Sequence, residues 1–211
     1  MVSGHRESGP GKRDKREAIL QAAWELIRHH GYSKATISDI AREAGVGKGT
    51  AYLYFRSKRD IMLALVDKTN RRITEDLERI AASPKPPRER MRECLLHRVM
   101  RIYDLVHRYK HGYEVITSLK PDIVARVEEH VRDQGEILAR LIREGRFTVE
   151  DPDTTGQVLA GMFELLTPPY YRFRSRQSLE FFATQVADLA LRGLDGGTPE
   201  ENSDESVAQV T

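Results

Sequence analysis

Apolar side chains recur along this chain at every third or fourth residue, and no stretch sustains the alternation of a β-strand. That period marks amphipathic helices. Ile19, Leu20, Ala23, Leu26 and Ile27 form one stripe, which predicts a helix over 14–30 ended by Gly31. Ile37, Ile40, Ala41 and Ala44 form a second, short stripe. Thr36 is its expected N-cap, and Asp39 three residues on completes a capping pair that suits the positive helix end. Gly45 follows the last apolar residue, where a left-handed glycine closes a helix. Val46 can pack into the angle before the next helix, which starts at Gly47 or Lys48 and turns Ala51 and Phe55 inward. Ser57 with Asp60 opens a long helix over about 58–82, carrying Met62, Leu65, Val66, Thr69, Ile73, Leu77 and Ile80 at near-heptad spacing. The prolines at 84, 86 and 87 then break the chain. Further helices are predicted over 88–109, 111–119, 121–145, 152–170 and 177–193. Pro121 and Pro152 fall in first turns, where proline is welcome, and Asp151 is an N-cap. The segment Leu166 to Pro169 interrupts the fourth of these. The fold class is all-α, with about nine helices.

Residues 36–58 read TISDIAREAGVGKGTAYLYFRSK, a helix, a glycine turn and a short second helix. That is the layout of a helix-turn-helix unit, which sets its second helix in the DNA major groove. On Thr36, Ile40, Ala41, Ala44, Gly45, Val46, Gly49, Thr50, Tyr52, Phe55, Ser57 and Lys58, the segment resembles the TetR family of bacterial transcriptional regulators. Two positions depart from the pattern. Gly47 stands where serine is usual, and glycine is tolerated at an N-cap. Ala51 stands where leucine is usual, which thins the packing beneath the second helix.

The resemblance implies roles. Lys48 and Gly49 face the bases, with Lys48 able to donate to guanine, and Ser38 also faces the groove. Thr36, Thr50, Tyr52, Tyr54 and Lys58 correspond to phosphate-contacting positions, which fix register without reading sequence. Tyr52 as a core aromatic and Lys58 as a solvated charge are the plainer alternatives. The implied partners are a double-stranded, palindromic DNA operator, a second copy of the chain, and a small apolar or aromatic ligand. The last two helices would form the dimer surface, through Leu159, Met162 and Leu166 on one and Phe182, Val186 and Leu189 on the other. Gly156, Ala160 and Gly161 would permit close helix approach. Ligand contacts are expected from Val99, Tyr103, Val106, Tyr109, Tyr113, Ile116, Leu138, Leu141, Met162, Phe163 and Tyr170. Tyrosine joins a flat apolar ring to one polar handle, although aromatics at helical spacing are more often plain core.

Charge sharpens this division. Over residues 1–60 Lys and Arg outnumber Asp and Glu by 12 to 7, and over 61–211 they trail by 22 to 25. A basic head on a mildly acidic body suits binding a polyanion by one end. The expected organisation is a disordered basic arm over 1–13, a DNA-binding domain over 14–60, a ligand-binding and dimerisation domain over 61–194, and a disordered acidic tail over 195–211. Lys12, Arg13, Lys15 and Arg16 precede or open the first helix, placed either to enter a minor groove or simply to be solvated.

No apolar run is long enough to span a membrane. The N-terminal residues lack the apolar core of a signal peptide. A single cysteine, Cys94, excludes an intrachain disulfide and fits a reducing cytoplasm. Metalloprotease, serine-hydrolase and paired-cysteine motifs are absent, and no cofactor is expected. The GVGKGT run is not a P-loop, because Lys48 precedes glycine and follows no strand. His107, His111 and Glu114 have a spacing that can hold a metal, yet a solvated polar face explains them better. The expected function is a ligand-released transcriptional repressor. Alternatives are a DNA-binding protein of this fold governed by a protein partner, and a non-DNA helical enzyme.

Overall fold

The computed structural model describes residues 12–107, 111–118, 120–168, 170 and 175–195. Among them lie nine α-helices and no strand: α1 (Lys12–His30), α2 (Ile37–Glu43), α3 (Lys48–Tyr54), α4 (Lys58–Ala81), α5 (Pro87–His107), α6 (Gly112–Ser118), α7 (Lys120–Gly145), α8 (Pro152–Glu164) and α9 (Arg176–Asp195). The first eleven residues of the expected arm, Tyr109, and the tail beyond 195 lie outside the described residues. Lys15 and Arg16 belong to α1, and the Arg16 guanidinium sits over the Phe55 ring at 5.3 Å.

The caps form as the sequence requires. Thr36, Ser57 and Asp151 each accept a backbone N–H two or three residues on, from Asp39, Asp60 and Asp153. Gly45 has φ +66°, its N–H reaches the Arg42 carbonyl at 3.1 Å, and the Val46 N–H reaches the Ala41 carbonyl at 2.9 Å. This pair of bonds is a Schellman closure, and its left-handed residue selects glycine. Helix α8 stops at Glu164, earlier than the expected 170. The cause is Pro168, which lacks an N–H and biases the preceding residue away from helix. Thr167 instead turns back, with its hydroxyl donating to the Glu164 carbonyl at 2.8 Å.

Two apolar clusters organise the molecule. The first joins α1 to α3 and the start of α4, around Ile19, Ile27, Ile40, Ala51 and Ile61. It also takes in Ile123 and Val127 of α7, so it crosses the expected boundary at residue 60. The second fills the body around Ile73, Met91, Val99, Leu141, Phe163 and Leu191. Helix α4, about 36 Å long at 1.5 Å per residue, belongs to both. Helices α7 and α8 pack closely because Gly156 lacks a side chain: a Cβ there would lie 2.4 Å from the Gly135 carbonyl oxygen. The close approach expected of Gly156 is therefore made within the chain. Burial pushes the Cys94 thiol up to about 12, so it stays protonated and unreactive.

Candidate nucleic-acid interface and junction cavity

The exposed side of α2–turn–α3 is built by what the buried side fixes. Ile37, Ile40 and Ala41 hold α2, and Ala51 with Phe55 holds α3. The same helical turns then leave Ser38, Lys48, Gly49 and Tyr52 exposed. Lys48 makes no ion pair among the described residues, so its ammonium is available to an external acceptor. A Cβ at Gly49 would meet nothing within 4 Å. Packing within the chain does not demand glycine there. Thr50 and Tyr54 are half-buried, and Tyr54 packs on the head cluster.

Two of the expected phosphate contacts are already occupied in part. The Thr36 hydroxyl accepts the Asp39 N–H at 3.2 Å and donates to its carboxylate at 2.6 Å. The hydroxyl thereby holds the Asp39 carboxyl below the usual range. The single Thr36 hydroxyl proton is thereby committed within the cap. Lys58 donates to the Tyr32 carbonyl at 2.5 Å and the Ala35 carbonyl at 2.8 Å, and lies 4.3 Å from the Tyr32 ring centre. Burial lowers its ammonium pKa, partly offset by Glu114. Lys58 here ties the α1–α2 loop to α4 and is not a solvated charge, because the open carbonyls after α1 are within its reach.

Leu53 escaped the sequence reading. It is 85% exposed on α3. An apolar side chain on a reading helix can contact a thymine methyl group. Its mismatch with the helix's amphipathic pattern was the available signal.

Beneath the head lies a cavity of about 100 Å³. Its wall includes Trp24 of α1, Met62, Leu65 and Asn70 of α4, Val106 of α5 and Val127 of α7. Of the expected ligand contacts among the described residues, Val106 and Ile116 line it. Val99, Leu138, Leu141 and Phe163 are plain core. Tyr103 stacks on His107 at 3.7 Å, while Met162 and Tyr170 face outward. Tyr113 does not reach the wall. The expectation followed the apolar stripes, but those stripes pack solidly against α7 and α8. Space opens instead where α8 ends early and α6 is short.

The metal reading fails on geometry. His107 bonds the Tyr103 carbonyl at 3.0 Å, and His111 bonds Glu114 at 3.1 Å. No group of three metal-binding side chains converges among the described residues.

The expected dimer residues divide. Leu159 is buried inside the chain, and Leu166 and Val186 pack partly against the body cluster. Met162, Phe182 and Leu189 are exposed, and so are Val158, Leu165 and Phe181. Residues 158 and 162 of α8 and its C-cap residue 165 form one stripe at helical spacing.

Residues 19–65 match the family model for bacterial regulatory proteins of the tetR family. The head of the chain therefore carries the domain that this family model describes. The fatty acid metabolism regulator protein of Bacillus subtilis (strain 168) is 42% identical over 67 residues, covering 32% of this chain and 34% of that protein. EthR of Mycolicibacterium smegmatis is 30% identical over 90 residues, covering 42% of each chain. The matched stretch thus spans about a third of the length of the first of these curated relatives. A TetR/AcrR family regulator from Thermobifida fusca is similar over 87% of this chain and 98% of its own, with TM-score 0.61 and 27% identity. FadR from Bacillus subtilis in complex with stearoyl-CoA shares the fold at TM-score 0.53 and 22% identity, over 86% of this chain and 98% of its own. The family-model match lies in the head, while likeness of fold runs through the body.

Proposed function

We propose that this protein is a sequence-specific, DNA-binding transcriptional repressor that acts in the cytoplasm as a homodimer and leaves its operator when a small apolar ligand binds. The exposed Ser38, Lys48, Gly49, Tyr52 surface on a capped helix-turn-helix carries this reading. The match of residues 19–65 to the tetR family model supports it.

The cavity supports ligand control over the protein-partner alternative, since a solidly packed junction would offer a ligand no place. Met62, Leu65, Ile123 and Val127 belong at once to the head cluster and to the cavity wall. A molecule there touches the packing that sets the head on α4. It shifts operator affinity by the difference in its own affinity for the two head positions, and by no more. The stearoyl-CoA held by the Bacillus subtilis FadR favours an apolar chain as a ligand feature here too. The exposed stripes of α8 and α9 fit a second copy, which reading a palindrome requires.

Selection of duplexes from random DNA, followed by titration in rising salt, tests the reading. Wild type should select one palindromic site with steep salt dependence. Lys48→Ala should relax preference at one base pair. Gly49→Ala should leave folding intact yet weaken binding, because only the DNA side of Gly49 is crowded in the complex. Leu189→Glu should give monomers that bind a palindrome no better than a half-site. Absence of salt-dependent duplex binding by wild type would sink the proposal.

A further inference from the structure

The junction cavity is apolar over most of its wall, but two of its side chains carry polar atoms that the protein leaves unused. Arg98 is 3% exposed. It donates Nε to Gln134 and Nη2 to Glu164, while Nη1 has no hydrogen-bond partner among the described residues. Asn70 is also 3% exposed. Its Nδ2 donates to the Val66 carbonyl at 3.1 Å, which fixes the amide orientation and leaves Oδ1 as an acceptor without a partner. Both residues line the cavity. Leaving a buried polar atom unsatisfied is costly, so orphans of this kind mark places where something other than stability is served.

We propose that the cavity takes a neutral molecule with a small apolar body, one acceptor for Arg98 Nη1 and one donor for Asn70 Oδ1. The inference rests on the ligand-responsive reading above and names the ligand's chemistry. Neutrality follows from the local charges. The Arg98 guanidinium already faces the Glu164 carboxylate. An incoming carboxylate would therefore add a second anion to one cation. It would also set its oxygens against Asn70 Oδ1 and offer that atom no donor. A carboxamide satisfies both orphans at once, and an ester satisfies only Arg98. A volume of about 100 Å³ sets the scale; a dry cavity of about 150 Å³ holds benzene.

A neighbouring cleft gives the rival outcome. Lys68, Arg72 and Arg101 line it, and it shares Trp24, Leu65, Thr69 and Leu105 with the cavity. An anionic ligand would be drawn there.

Hexanamide, methyl pentanoate and hexanoate have the same number of heavy atoms and separate these cases. Their binding to the full-length protein is measured by isothermal titration calorimetry and ligand-observed NMR. Hexanamide should bind about tenfold more tightly than methyl pentanoate, the worth of one satisfied buried acceptor. Hexanoate should bind weakest. In Asn70→Leu the preference for amide over ester should vanish while the ester still binds. A thermal melt confirms that this variant is folded; a purely structural Asn70 would alter the melt and leave the preference in place. Hexanoate equal to or tighter than hexanamide overturns the proposal and leaves ligand control standing. So does an amide preference that survives Asn70→Leu. Failure of all three compounds to bind removes the cavity as a ligand site, and the proposal with it.

Discussion

The head and the body are both helical and both enclose a continuous apolar cluster, yet they place polar side chains oppositely. Every buried polar or charged side chain among the described residues, Asn70, Arg90, Arg98, Gln134 and Thr167, lies beyond residue 60. In the head, polar groups sit at helix ends and on the surface. Thr36 and Ser57 cap helices, and the Arg42–Asp39 pair is exposed. The difference suits the two tasks. A reader must present one fixed face, and short capped helices over a small dry core give that. A sensor must have alternatives of similar energy. Buried hydrogen-bonded groups with unused valences supply them, because a ligand can satisfy what the protein does not.

The largest test breaks that polar core. Arg98→Leu leaves Glu164 and Gln134 without their partner and should cost about 3–5 kcal/mol in urea unfolding. Arg98→Met with Glu164→Leu should recover most of it. In the head, Arg42→Ala removes an exposed partner of Asp39 and should change stability by less than about 1 kcal/mol. Equal losses from Arg98→Leu and Arg42→Ala would erase the contrast between the two regions.

A mid-sized effect tests whether the head is as tightly filled as its task implies. Ala51 is fully buried beneath α3. Ala51→Leu restores the residue usual in the family and should destabilise by about 1–3 kcal/mol through overpacking. If the variant melts higher than wild type, the head has slack too, and slack is no longer peculiar to the body.

The same contrast explains what the sequence revealed. Helix stripes and caps are local, so α1 to α4 and the Gly45 closure could be read directly. The exposed positions of α2 and α3, Ser38, Lys48, Gly49 and Tyr52, followed from the same local spacing. What Lys58 does was not legible, because its partners Tyr32 and Ala35 are more than twenty residues away and belong to a loop. The cavity was missed for a related reason. Stripes tell which residues turn inward, but a cavity is where inward-turning residues fail to meet. That failure depends on α8 ending at Glu164 and on Trp24 reaching over from the head. Arg98 and Asn70 interrupt apolar stripes on α5 and α4, a signal that a polar search of those helices could have used.

The smallest effect concerns the seam between the two regions. Glu114 of α6 accepts the Ser33 hydroxyl at 2.6 Å and the Ser33 N–H at 3.0 Å, tying the body to the loop after α1. The Ser33 hydroxyl, with the Ser33 N–H and His111, holds the Glu114 carboxyl below the usual glutamate range. A depressed folded pKa means that the carboxylate's contribution is present above the ordinary value, about 4.3, and is lost as pH falls through the lower folded value. Glu114→Gln keeps an oxygen for Ser33 but removes the charge. The variant should melt slightly below wild type at neutral pH, and the gap should close on acidification below about pH 4. The carboxylate is largely solvated, so the gap should be the smallest of the three and should shrink in high salt. A gap that widens on acidification would show that Glu114 strains the seam, and that the head is held to the body by other contacts, such as the packing of Ile123 and Val127.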